Sequence, residues 1–155
     1  MTTPATATLD AARMEAAVDQ VCRFFETLTP EAVATVGALY GPHARFKDPF
    51  NDVTGLPAIA GIFDHMFVAL EAPRFVVTGR VVQGQACFLT WEFHFGFKNF
   101  KRNEPQVILG GSHLVFGADG LVSLHRDYWD AAEELYEKLP VVGALMRWLK
   151  RRANT

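Results

Sequence analysis

Residues 86–98, ACFLTWEFHFGFK, hold the pattern that decides the fold. In Trp91-Glu92-Phe93-His94-Phe95, aromatic and polar residues alternate strictly, which is the period of a strand with one face buried. Three further strand-like stretches flank it: Arg74–Gln83 before, Gln106–Phe116 and Leu121–Trp129 after. The junctions Gln83-Gly84-Gln85 and Gly117-Ala118-Asp119-Gly120 suit hairpins, while Asn99–Pro105 is a longer polar loop. Four strands joined in this way predict an antiparallel meander, one face of which must be covered by helices.

The helices are legible upstream. From the N-cap candidate Asp10, apolar residues recur at Met14, Val18, Val21, Phe25 and Leu28, in steps of four and three. Thr29-Pro30 restarts the chain, and Val33, Val36 and Tyr40 predict a shorter helix that Gly41-Pro42 stops. Ala44–Asp48 is short and extended, ended by Asp48-Pro49. Pro57 opens a third helix with Ile59, Ile62, Phe63, Met66, Phe67 and Leu70, stopped by Pro73; its wide apolar arc predicts a largely buried helix. A last helix starts near Ala131, with Leu135, Leu139, Val142, Met146 and Leu149 inward and a kink or break at Pro140.

With 155 residues, half of them hydrophobic, the chain suffices for one domain and not for two. A net charge of −2 provides no general attraction to nucleic acid or to an anionic membrane. Cys22 and Cys87 fall in helical and strand patterns and read as reduced core thiols. Neither a signal-peptide pattern nor a spanning apolar run is present, so a soluble cytoplasmic protein is expected. His43, His65 and His113 lack ligand spacing, so no metal and no cofactor is expected. Gly110-Gly111, within a strand pattern, marks a bulge or a close approach rather than a phosphate loop, and no nucleophile elbow is present. The 13 Phe, three Trp and three Tyr exceed what a small core needs.

Two stretches carry a resemblance. Leu39-Tyr40-Gly41-Pro42-His43-Ala44-Arg45-Phe46-Lys47-Asp48-Pro49-Phe50 resembles the ketosteroid isomerase segment ending in an acidic residue before Pro-Phe. Phe116 through Asp119-Gly120 to Tyr128-Trp129 resembles the last hairpin of that family. Together with the element order over residues 10–130, the chain resembles the nuclear transport factor 2-like superfamily, which includes ketosteroid isomerases, SnoaL-like polyketide cyclases, limonene epoxide hydrolases and non-enzymatic members. The resemblance implies an α+β fold in which a curved antiparallel sheet wraps around helices to form a conical pocket, cystatin-like in outline. The expected organisation is a disordered tail at 1–8, the domain at 9–130 and a C-terminal helical extension at 131–155. Function does not follow from such a fold alone.

By this resemblance Asp48 matches the aspartate that moves a proton next to a carbonyl. A carboxylate facing an aromatic cavity is partly desolvated and becomes a better base. The competing reading is that Asp48 only shapes its turn. The isomerase's oxyanion donors correspond to Phe24, which donates nothing, and Ser112, a weak donor, which argues against steroid isomerisation. On the last strand His125, Asp127 and Trp129 share one face. The resemblance turns that face to the cavity, making Asp48, His125 and Asp127 the candidate catalytic set. Alternatively, His125 and Asp127 bond one another or cap the next helix. Arg126 falls on the opposite face, which removes it from the Asp-Arg-Asp set of the epoxide hydrolases. Glu92 and His94 fall on the outer face, where association or solvent contact, rather than catalysis, is the expected role.

The candidate ligand-binding residues are Phe24, Phe63, Phe67, Trp91, Phe93, Phe95, Ser112, Phe116 and Trp129. The expected function is a pocket for a small hydrophobic, cyclic molecule, with proton transfer or water activation as its chemistry. The alternative is a non-catalytic binding or dimerisation module. A homodimer through the outer sheet face is expected, with no nucleic acid and no membrane partner. The basic C-terminal end, Arg147 and Lys150 to Arg152, complements a helix dipole more readily than it fits a membrane surface or a neighbour's pocket.

Overall fold

The computed structural model describes residues 8–99, 102–136 and 140–153. The tail expected over 1–8 therefore lies, Thr8 apart, outside the described residues. Helix α1 (Ala11–Glu26) begins where the Asp10 side chain accepts the Arg13 N–H, 2.8 Å away. It buries Met14, Ala17, Val18, Val21 and Phe25. Leu9 is tied across the fold, its N–H donating to Gln85 Oε1 (2.8 Å) and its carbonyl accepting from Gln85 Nε2 (3.2 Å).

The next element departs from the sequence expectation. A 3-10 helix covers Glu31–Ala38, and Tyr40 is the first residue of strand β1 (Tyr40–Lys47) rather than the end of a helix. The spacing of Val33, Val36 and Tyr40 is satisfied by a helix, but a buried strand residue meets it equally well. The β1 strand is thus longer than the extended piece expected at Ala44–Asp48, and β2 (Asp52–Thr54) folds back on it.

Strands β3 (Leu70–Gln83), β4 (Ala86–Phe97), β5 (Gln106–Phe116) and β6 (Val122–Tyr128) form the expected antiparallel meander. The Gly84-Gln85 turn between β3 and β4 places Gly84 at φ +57°, a conformation glycine adopts without strain. Among the described residues the sheet runs β2-β1-β6-β5-β4-β3, with β1 and β6 paired in parallel. That pairing is interrupted between Tyr40 and Arg45, around Pro42, which has no N–H to offer a ladder. Strand β3 starts four residues before the expected Arg74 and contains Pro73. It tolerates a proline because it is an edge strand. Glu26 of α1 accepts the Val77 N–H on this strand, 3.0 Å away. Arg80 of β3 pairs with Glu15 and Asp19 of α1, which holds the helix on the concave side.

Helix α2 (Leu56–Ala69) is less buried than its apolar arc suggests: Ile59 and Phe63 are its buried residues, while Ile62, Met66 and Phe67 are half-buried. The arc faces an open cavity as well as the core. Cys87 is buried, which pushes its thiol up to about 11, and Cys22 is half-buried; neither is in a disulfide.

The C-terminal segment is split, as Pro140 suggests, into α3 (Ala131–Glu134) and α4 (Pro140–Ala153). Leu149 is exposed rather than inward, since α4 presents Leu145, Trp148 and Leu149 to solvent. Leu139 and the side chains of Val142 and Met146 lie outside the described residues. Among the described residues no helix is long and apolar enough to cross a membrane.

Candidate functional site

On β4, Trp91, Phe93, Phe95 and Phe97 project from one face at every second position. Phe75 of β3 stacks on Phe93 (centroids 4.4 Å apart) and Phe93 on Phe95 (5.0 Å). This ladder forms one wall of a cavity of about 590 Å3, and α2 forms the opposite wall with Ala58, Gly61, Ile62, Phe63, His65 and Met66. Phe50 and Trp129, 5.5 Å apart, stand at the same cavity with Leu135. Its polar lining is Asp48, Asn51, His65 and Asp127. A second cavity of about 30 Å3 shares Phe46, Phe63, Phe75, Trp91 and Asp127 with the first, and adds Phe25, Ser112 and His125. The aromatic excess of the composition is largely accounted for by these walls.

The polar groups at the floor form a continuous chain. Trp91 Nε1–H donates to Ser112 Oγ (2.8 Å), and Ser112 donates to Asp127 Oδ1. His125 Nε2 lies 2.8 Å from the same Asp127 oxygen, and His125 Nδ1 lies 2.7 Å from the Tyr40 hydroxyl. A carboxylate only accepts, so Nε2 carries the hydrogen. Nδ1 is then the nitrogen facing the Tyr40 hydroxyl, which donates to it when the ring carries a single hydrogen. The ring is boxed by Phe46 (4.7 Å), Phe25 (5.6 Å) and Tyr40 (5.9 Å). Burial, with the charge of Asp127 adding to it, holds the Tyr40 phenol well above its ordinary range. Asp127 Oδ2 takes no part in this chain.

Local sequence explains the arrangement. Ser112 and Asp127 are direct cross-strand partners, and Phe46 is the register partner of His125. Trp91 lies opposite Gly110, where a Cβ would stand 2.3 Å from the indole. The missing side chain lets the indole lie flat across β5 and reach Ser112. Gly111 does the same for Phe88 on the other face, where a Cβ would sit 2.7 Å from that ring. The glycine pair is therefore a close approach, of aromatic rings to backbone.

Asp48 lines the large cavity, but its carboxylate closes its own turn. It accepts the N–H groups of Phe50 (2.7 Å) and Asn51 (2.6 Å) and the Asn51 side-chain amide at both oxygens (3.0 and 2.9 Å). Of the nine residues expected at the ligand, Phe63 and Trp91 line both cavities, Phe93, Phe95 and Trp129 the large one, and Ser112 the small one. Phe24, Phe67 and Phe116 line neither. Phe24 is turned one helical step from Phe25 and meets it edge to face; Phe67 lies at the rim of the core; Phe116 is packed inside it. Arg126 is on the outer face, 4.8 Å over the Tyr128 ring, and Glu92 bonds His94 at 2.8 Å on that same face. The residues missed by sequence reasoning include Tyr40, hidden by its helical spacing, the Trp91 N–H, whose partner depends on the strand register, and the lining residues Phe46, Phe50, Asn51, His65, Phe75 and Phe97. Among the described residues no group of three His, Cys, Asp or Glu side chains is placed to hold a metal ion.

Comparison with known proteins agrees with this architecture. Residues 21–125 match the family model of the SnoaL-like domain, and the chain belongs to that family. A search of curated proteins gives no significant match. Among solved structures, a ketosteroid isomerase-like fold protein from Catenulispora acidiphila, in complex with trimethylamine, has a TM-score of 0.66 at 16% identity, covering 77% of this chain and 88% of that one. An LEH-like epoxide hydrolase from M. tuberculosis has a TM-score of 0.63 at 16% identity (79% and 86% covered). A candidate SnoaL-like polyketide cyclase from Jannaschia has a TM-score of 0.66 at 12% identity (86% and 94% covered). At these identities the likeness concerns the fold.

Proposed function

We propose that the protein binds a flat, hydrophobic cyclic molecule in the large cavity and moves a proton, or activates water, at that molecule through Asp127. The observation that carries this reading is the placement of Asp127 on both cavities, with Oδ1 anchored by Ser112 and His125. Oδ2 is left for a ligand. Asp127 then takes the role first expected of Asp48, and His125 orients it from behind. A cavity of about 590 Å3 falls within the range of small-molecule sites. Membership of the SnoaL-like family supports a pocket function.

The test begins with mass spectrometry of any copurifying ligand and an assay over enolisable ketones and epoxides. Asp127→Asn is expected to lower turnover by about a thousandfold, the range of a lost acid–base group. Asp48→Asn should retain most of it. Unchanged turnover in Asp127→Asn overturns the assignment. Binding without turnover of any substrate leaves the non-catalytic binding module.

The outer sheet face supports a homodimer. Val81, Phe88, Leu109 and Tyr128 are exposed there on neighbouring strands, with Phe88 and Tyr128 rings 6.4 Å apart. Light scattering should give twice the monomer mass for the native protein and the monomer mass for Leu109→Glu. A native protein at monomer mass overturns the dimer.

A further inference from the structure

We infer that the ligand of the large cavity is an organic cation, a protonated or quaternary amine on an apolar cyclic framework. This inference rests on the pocket reading above and adds the sign of the ligand's charge.

Among the described residues, the carboxylates on the cavity lining are Asp48 and Asp127, and no Lys or Arg lines it. Both carboxylates accept hydrogen bonds, and neither is paired with a Lys or Arg among the described residues. Asp48 is held by two backbone N–H groups and the Asn51 amide, Asp127 by the Ser112 hydroxyl and the His125 ring N–H. Such hydrogen bonds satisfy oxygens geometrically without cancelling their charge.

Arg74 of β3 is exposed and off the lining, and other cations on the surrounding elements are engaged elsewhere. Arg45 and Lys47 of β1 pair with Asp52, and Arg126 of β6 lies over Tyr128 on the outer face. The Lys98 ammonium donates to the Phe67 and Val68 carbonyls.

The nine aromatic side chains on the lining act in the same direction. Ring faces carry negative quadrupole potential and attract a cation, more strongly once it is desolvated. A carboxylate ligand would meet two like charges, with no Lys or Arg among the described lining residues to pair with. A neutral ligand gains apolar burial and, if it carries an O–H or N–H, a hydrogen bond to Asp127 Oδ2, but no charge pairing. An ammonium gains the burial, the ring faces and a hydrogen bond or ion contact to Asp127 Oδ2.

The test is a matched series of naphthalenes titrated calorimetrically into the native protein: 2-naphthylmethylammonium, 2-naphthalenemethanol and 2-naphthoate. The ammonium should bind about tenfold more tightly than the alcohol, and the carboxylate most weakly. In Asp127→Asn the preference for the ammonium should shrink towards parity while alcohol binding persists. If that variant fails to fold, the ranking on the native protein decides alone. Alcohol or carboxylate binding as tightly as ammonium overturns the charge assignment and leaves the pocket reading intact. Binding of none of the three overturns both.

Discussion

Gly110→Ala should destabilise the protein by about 3 kcal/mol, the cost of forcing the Trp91 ring out of its place and orphaning its buried N–H. The direction is opposite to intrinsic propensity, since alanine is normally preferred over glycine in regular structure. It follows from the 2.3 Å that would separate a Cβ at position 110 from the indole. Any retreat of the ring breaks its bond to Ser112 and disturbs Phe75, which packs edge to face against it at 5.6 Å. Urea unfolding followed by tryptophan fluorescence measures the loss. Gly61→Ala supplies the contrast: no atom lies within 4 Å of a Cβ there, on helix α2. That change should stabilise by about 1 kcal/mol. Equal effects at the two positions would show that the Trp91 contact carries no weight.

The second large effect is expected at Tyr40→Phe. The substitution keeps the ring and removes the hydroxyl that donates to His125 Nδ1, leaving a buried acceptor without a partner at a cost of about 2 kcal/mol. Asp127 still accepts from Nε2, so the tautomer persists. In 15N spectra the native protein and the variant should both show hydrogen on Nε2, with the Nδ1 resonance displaced in the variant by loss of the Tyr40 bond. The pH dependence carries its own sign. The native phenol is held above its ordinary range, whereas the unfolded chain ionises it normally. The contribution of Tyr40 is therefore complete below about pH 10 and is lost as the pH rises beyond that. Tyr40→Phe should remove this part of the alkaline loss. An unaltered Nδ1 resonance and an unaltered stability would mean that the hydrogen bond is idle.

The parts of the fold governed by period were readable in advance. The α1 stripe from Met14 to Phe25 and the Trp91–Phe95 alternation each report burial at every turn or every second residue, so the core side of both elements was visible. The shared face of His125 and Asp127 follows from the same parity. Tyr40 was missed because three- and four-residue steps do not distinguish a helix end from a strand start. The openness of α2 was missed because an apolar arc reports what a helix face avoids, not whether a neighbour fills the space before it. The Trp91–Ser112 bond required knowing that Trp91 lies opposite Gly110, a register that no local pattern contains. The position of Asp48 beside the cavity was legible; the engagement of its oxygens depended on Asn51 folding back onto it.

Tyr40 and His125 stand 85 positions apart, and the β1–β6 ladder that joins them spans more of the chain than any other pairing of the sheet. The hairpins of the meander close between near neighbours. Strand β1, synthesised first among the strands, waits for the last of them. Such high contact order slows folding and places this joint late in the process. Completion of the polar chain at the cavity floor thus coincides with completion of the fold. A nascent chain that stops short of β6 has aromatic walls but no Asp127 between them.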